Sequence, residues 1–252
     1  MRNRIEGSEA EFVRHCQRSK APCIDNSALL ISDYDLIFLQ ELSSKEWSSF
    51  LEKVKVLGRQ RGVDYQALVG YYFGDVMTAI IFNVAKLGRG LQITPSDFKL
   101  YDETTQDKEE RSIVVGWFPD LGLIAINLHA PHKIDLRGAI ERRLIETEPF
   151  LRRYQVEHHQ INRVLMAGDF NDDFQEVTRP NFALGAYGHR LKLPIDSALV
   201  PQTCCFDSNY QYTGDYILDS RRVPGYFGVP HEYDRNYDLY SDHDPVVYFT
   251  TL

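Results

Sequence analysis

Residues 112–128 read SIVVGWFPDLGLIAINL, two apolar runs (112–118 and 122–128) separated by PDL. Both are rich in strand formers, and neither alternates apolar with polar positions as a strand with one wet face must. They read as strands of a sheet covered on both sides. The same character recurs at DLIFLQ (35–40), TAIIF (78–82) and RVLMAG (163–168), with later strands expected at 213–219 and 245–250. Ser43 and Glu46 have capping-box spacing, and Trp47, Phe50, Leu51, Val54 and Leu57 recur at helical intervals, so the pattern predicts a helix from about 44 to 60. Ile134, Leu136, Ile140, Leu144, Ile145, Leu151 and Tyr154 trace a second helical stripe over 133–157. Buried strands alternating with amphipathic helices give an α/β fold class.

The 252 residues suffice for one large domain, and no repeat, low-complexity tract or linker divides 1–252. With 43% hydrophobic and 25% charged residues, the composition is that of a globular protein and excludes a disordered chain. A net charge of −8 argues against broad electrostatic attraction to nucleic acid or anionic membrane. It leaves room for a nuclease, because divalent cations can bridge an acidic site to phosphate. Cys16, Cys23, Cys204 and Cys205 form no CxxC pair and are too sparse for a disulfide-built scaffold, so reduced thiols are expected. The opening MRNRIEGSEAEF has no apolar core, and no run of 18 apolar residues occurs. Neither a signal peptide nor a membrane span is read, and the expected location is intracellular. Residues 173–212 are polar and irregular, a long loop of the kind that often carries function.

Three polar clusters stand at the ends of expected strands: Gln40-Glu41 and Asp169-Phe170-Asn171 at the close of one, Asp242-His243-Asp244 just before another. Their carboxylates and carboxamides are hard oxygen donors, suited to Mg²⁺ or Mn²⁺. Singly each has a bland reading. Glu41 alone reads as a solvated strand-end acid, GDFN as a tight turn, SDHDP as a loop stopped by proline, and His129 as a structural histidine.

Taken in order, FLQE (38–41), NLHAPH (127–132), AGDFND (167–172), GDYIL (214–218) and SDHDPV (241–246) change that balance. This ordered set resembles the signature of the endonuclease/exonuclease/phosphatase superfamily, which includes deoxyribonuclease I, abasic-site endonucleases, inositol-polyphosphate phosphatases and tyrosyl-DNA phosphodiesterases. The resemblance spans residues 35 to 248, with GDFN and SDHDP its most specific parts. It implies a four-layer α/β sandwich, two mixed sheets packed face to face with helices outside.

The resemblance also implies roles. Glu41 matches the carboxylate that binds a divalent metal, Mg²⁺ with Mn²⁺ able to substitute, and Asp242 a second metal-side carboxylate. Asp169 matches the aspartate that positions or deprotonates the attacking water, and Asn171 its phosphate-contacting neighbour. His243 matches the histidine facing the scissile phosphate, and Asp215 the acid that orients it. His129 resembles a second histidine of the site, and Asn127 a strand residue lining it. Arg111 reads equally as a phosphate contact or a surface strand-start arginine, and Asn83 is a further candidate for the same edge. Phe206, Tyr210 and Tyr212 read as packing first and as a substrate wall second. His158-His159 reads as solvated surface.

The activity implied is metal-dependent phosphodiester hydrolysis, with a nucleic-acid backbone or DNA-linked adduct as the leading substrate and no membrane partner. A phosphatase acting on inositol phosphates or another phosphomonoester stays open, as does a non-catalytic binding module with a relict site. Substrate choice lies in loops such as 70–76, 101–111 and 173–212. The superfamily's opening strand carries an asparagine about 35 residues before LQE. Here only Asn3, in MRNR, stands near that point. The expectation is that a short strand lies upstream of Met1. There is no GxxxxGK[ST], GxSxG, HExxH or GxGxxG motif, which removes the kinase, serine-hydrolase, zinc-protease and dinucleotide-enzyme readings.

Overall fold

The structure, a computed structural model, describes residues 20–71, 76–101, 110–131, 136–171, 182–184, 187–191, 214–221, 226–228 and 246–250. Asn3, Phe206, Tyr210, Tyr212, Asp242 and His243 lie outside them.

The uniformly apolar runs become the strands of two sheets. Strands β1 (Leu36–Ser43), β2 (Tyr65–Tyr71) and β3 (Val76–Asn83) form an antiparallel sheet in the order β1-β3-β2. A six-stranded mixed sheet runs β11-β8-β7-β6-β4, with β5 also paired to β6. Its strands are β4 (Leu91–Gln92), β5 (Lys99–Tyr101), β6 (Glu110–Phe118), β7 (Leu123–His129), β8 (Arg163–Asp169) and β11 (Asp215–Asp219). All its pairings are antiparallel except β7 with β8, which are parallel because a helical crossover joins them.

Alternation along each strand sorts side chains into three cores. Leu123 and Ala125 of β7, Leu165 of β8, Val114 and Phe118 of β6, and Ile80 and Phe82 of β3 meet between the two sheets. Ile124, Ile126 and Leu128 of β7 point the other way, onto helices α4 (Leu136–Ile145) and α5 (Glu148–Arg153) through Ile140, Leu144 and Leu151. Ile37 and Ile81 face Ile24 and Ala28 of helix α1 (Lys20–Ile31) and Phe50 and Val54 of helix α2 (Ser44–Gln60). The order is therefore helices, sheet, sheet, helices, the four-layer sandwich expected. Both faces of each sheet are covered, which is why the strands carry no polar alternation. Each fully buried Ile, Leu or Phe contributes about 1.5–3 kcal/mol relative to exposure.

The helix expected at 44–60 falls at Ser44–Gln60, but its N-cap Ser43 makes no side-chain capping bond, so the capping box is not formed. The stripe over 133–157 is two helices rather than one. It breaks at Glu146-Thr147, just before Pro149, whose missing N–H is harmless only in a first helical turn. Ile145 and Tyr154, counted on the apolar stripe, are exposed.

Within 173–212, strands β9 (Phe182–Leu184) and β10 (His189–Leu191) pair antiparallel, so that stretch is not wholly irregular. Late strands form at β11 and β13 (Val247–Phe249), the latter paired with β12 (Tyr226–Gly228). Helix α1 and strand β2 went unread in the sequence. Tyr65 of β2 ties the sheet to the segment that follows α1, its one phenol proton shared between Ser32 O at 2.8 Å and Tyr34 O at 2.9 Å, and burial pushes its phenol up to about 12.

Cys23 is fully buried and disulfide-bonded, which corrects the expectation of a reduced thiol at that position; Cys16, Cys204 and Cys205 lie outside the described residues. Count and spacing along the chain could not show it, because a disulfide depends on which thiols the fold brings together in space. No helix among the described residues is long and apolar enough to cross a membrane.

Candidate active site

The layer between the sheets is apolar for most of its height and turns polar at one end. Along β7 the same alternation that buries Leu123 and Ala125 brings Asn127 and then His129 to that layer. Along β8, Leu165 is followed on the same face by Ala167 and Asp169. Gln40 follows Leu36 and Phe38 on the face of β1 that packs against the inter-sheet core. The polar end of the layer is therefore written into the last inward positions of three strands.

Parallel pairing sets His129 directly beside Asp169, and antiparallel pairing sets Asp215 on the other side of Asp169. Gly168 makes this close approach possible. A Cβ there would lie 1.8 Å from Leu128 O, and the backbone has φ 144°. Only glycine fits. In the sequence this glycine reads as part of a tight turn, whereas its place in an apolar strand marks close backbone approach.

His129 is 2% exposed and lies between two carboxylates: Nδ1 is 3.8 Å from Glu41 Oε1 and Nε2 is 3.7 Å from Asp169 Oδ2. Asp169 Oδ1 accepts the Asn171 backbone N–H at 2.8 Å, a local turn that fixes the carboxylate's rotation. Asn171 adopts φ 48°, which asparagine tolerates better than most residues, and its Nδ2 donates to Ala130 O at 2.7 Å. The β7 and β8 ends are thus laced together beyond their last strand pair, since Ala130 N also donates to Asp169 O at 2.8 Å.

Glu41 sits on a bulge. The β1–β3 register shifts between Leu39 and Leu42, so Gln40 and Glu41 stand out of the ladder, and Glu41 takes φ 55°. A non-glycine residue held there costs on the order of 1–3 kcal/mol and persists only when its surroundings over-determine it. The bulge lifts the Glu41 carboxylate to the rim, where its side chain is 61% exposed.

Glu41, His129, Asp169, Asn171 and Asp215 are brought together at this end. Asn127, expected to line the site, lies beneath it, fully buried, with its amide bonded to Gln40, Leu39 O and Ala79 O. Arg111, the second residue of β6, stands at the same edge, but alternation sets it with Ile113, opposite Leu100 of the helix-facing core, on the face of the sheet away from His129. Asn83 lies at the far end of β3. It caps the short helix α3 (Val84–Leu87) through Ala85 N and donates to Asp35, so the edge proposed for it is corrected. The exposed pair His158-His159 sits in a short 3-10 turn remote from these strand ends, beside Glu148 and Glu157.

As a cation site the described part offers hard oxygens from Glu41 and Asp169. No group of three or more His, Cys, Asp or Glu among the described residues is arranged as a metal cage. That donor set suits Mg²⁺, which binds through one or two carboxylates plus substrate phosphate and keeps several waters.

Two face-to-face sheets, helices outside, and a carboxylate–histidine site at one end of the inter-sheet layer define the deoxyribonuclease I-like fold. The chain has the fold of the endonuclease/exonuclease/phosphatase superfamily, as its ordered motifs implied. An endonuclease/exonuclease/phosphatase from Bacteroides vulgatus superposes with a TM-score of 0.56 at 16% identity, over 94% of each chain. Truncated Caenorhabditis elegans TDP2 gives 0.56 at 14% identity, again over 94% of each chain. A mannosyl-6-phosphatase from Bacteroides thetaiotaomicron gives 0.50 at 18% identity, covering 93% of this chain and 94% of that one. No family model matches the sequence, and no curated protein sequence matches it.

Proposed function

We propose that the protein is a metal-dependent phosphoesterase, with phosphodiester bonds in nucleic acid or a DNA-linked adduct as the leading substrate. The observation that carries the reading is His129, buried between the Glu41 and Asp169 carboxylates at the polar end of the inter-sheet layer. Such hydrolysis requires an activated water, neutralised phosphoryl oxygens and a stabilised leaving oxygen. A divalent cation held by Glu41, with Asp242 as a second carboxylate from the SDHDP motif, supplies Lewis-acid stabilisation of a phosphoryl oxygen when bound.

The protein groups divide the remaining work. Asp169 takes the proton of the attacking water at Oδ2, the oxygen turned toward His129, because Oδ1 is engaged by Asn171 N–H. His129 donates toward the negative charge that develops on the phosphoryl group. By the motif resemblance, His243 is assigned to the scissile phosphate and Asp215 to orienting it. Asn171 holds the Asp169 turn closed and adds an amide beside the phosphate.

A second reading, a phosphatase acting on soluble phosphomonoesters, is favoured by the net charge of −8, which is no handicap for a small substrate. The discriminating assay incubates the purified protein and Mg²⁺ with single-stranded, duplex and abasic DNA, RNA, a tyrosyl-DNA adduct and inositol phosphates. Cleavage of a nucleic-acid substrate without release of inorganic phosphate from inositol phosphates supports the leading reading. Phosphate release from inositol phosphates alone replaces it with the second.

A further inference from the structure

We infer that Gln40 and Asn127 are positioning residues, an amide clamp between the two sheets that holds the strained Glu41 bulge so that its carboxylate meets a divalent cation. The inference rests on the reading of Glu41 as a cation ligand.

Asn127 belongs to β7 of one sheet, yet among the described residues its side chain bonds only to the other sheet. Nδ2 donates to Leu39 O at 2.9 Å and to Ala79 O at 2.8 Å, on β1 and β3. Two carbonyl acceptors fix which way the amide faces, and they leave Oδ1 to accept Gln40 Nε2 at 2.5 Å. Leu39, whose carbonyl is gripped, is the last regularly paired residue of β1 before the register shift. Gln40, whose side chain is gripped, is the first residue of the bulge. Glu41 follows at φ 55°, with its carboxylate at the rim.

The clamp thus seizes the chain on both sides of the Leu39–Gln40 peptide and leaves the next residue no regular ladder to relax into. The contacts are wholly buried at Asn127, where a polar group is retained only if its bonds are made. A fold needing only inter-sheet packing is served by an apolar residue at 127, as it is by Ala125 two positions earlier. What the amide adds is the conformation of residues 40–41.

The test measures Mn²⁺ binding by the full chain, from the electron paramagnetic resonance signal of free Mn²⁺, alongside thermal melting in EDTA. The proteins are the parent, Glu41→Gln, Gln40→Met and Asn127→Leu. Gln40→Met removes one half-buried hydrogen bond at similar length, and it keeps the test decisive if Asn127→Leu fails to fold. Residues that orient a metal ligand alter affinity by about 10- to 100-fold. Gln40→Met is therefore expected to raise the half-saturating Mn²⁺ concentration about tenfold, with an unchanged melting temperature in EDTA. If Glu41→Gln weakens Mn²⁺ binding while Gln40→Met keeps the parental midpoint, the clamp inference is overturned and the reading of Glu41 stands. If parent and Glu41→Gln bind alike, the reading of Glu41 itself falls, and the inference with it. A Gln40→Met protein that loses its folded transition in EDTA also counts against the inference, because the amide then serves the fold and not the carboxylate.

Discussion

At position 168 a side chain has nowhere to go. A Cβ would meet Leu128 O at 1.8 Å, and the backbone lies in a region that L residues avoid. Gly168→Ala is therefore expected to destabilise the protein by on the order of 3 kcal/mol in urea denaturation. Activity should fall further than stability explains, since His129 and Asp169 are separated by the same shift. A change within 0.5 kcal/mol would show that the β7 and β8 ends can part without cost. Asp169→Asn keeps shape and removes the base, and turnover should drop by roughly 10²–10⁴ with little change in melting temperature. Glu41, His129, Asp169 and Asp215 were legible in the sequence because each sits in a short motif beside a strand end. The parts that support them were not. Asn127 reads by resemblance as a residue lining the site, but its grip on Gln40 does not, because that depends on the packing of two segments 87 residues apart.

At the scale of elements, the end of the inter-sheet layer remote from the site is closed by charge. Arg163, at the start of β8, forms a bidentate pair with Asp219 at the end of β11, at 3.1 and 2.5 Å. Asp219 also accepts from Tyr248 Oη of β13 at 3.2 Å and from Arg221 N at 2.9 Å, and both charged partners are almost wholly buried. Removing one member leaves the other charge buried and uncompensated. Asp219→Ala is expected to cost about 3–5 kcal/mol in thermal or urea unfolding. The double substitution Arg163→Met with Asp219→Leu should recover most of that loss, and equal destabilisation of both variants would contradict this view of the pair.

The strands expected at 35–40, 78–82, 112–118 and 122–128 form as Leu36–Ser43, Val76–Asn83, Glu110–Phe118 and Leu123–His129, and they were legible because burial leaves an apolar run. Helix α1 was not, because KAPCIDNSALLI carries a weak helical stripe and begins in polar sequence. The buried Arg163–Asp219 pair was equally invisible, because its members lie 56 residues apart in sequence and each alone reads as a surface charge.

For the whole molecule, charge and site pull in different directions. A net charge of −8 provides no broad basic face to track a phosphate backbone. Proteins that make 6–10 phosphate contacts through basic residues lose about 10³–10⁵ in affinity between 50 and 200 mM salt. If DNA is the substrate, KM for a duplex should rise no more than about tenfold over that range, because few such contacts form. A rise of 10³ would place a basic groove in the chain that its composition conceals.

By the proposal made above, the polar end of the inter-sheet layer hydrolyses phosphate esters with a divalent cation. The most direct test compares initial rates of the parent and Asp169→Asn on one cleavable phosphate ester, in Mg²⁺ and in EDTA. The predicted result is turnover by the parent in Mg²⁺, abolished by EDTA and lowered at least a hundredfold by the substitution. Turnover indifferent to both EDTA and Asp169→Asn would contradict the claim and move the chemistry to another part of the molecule.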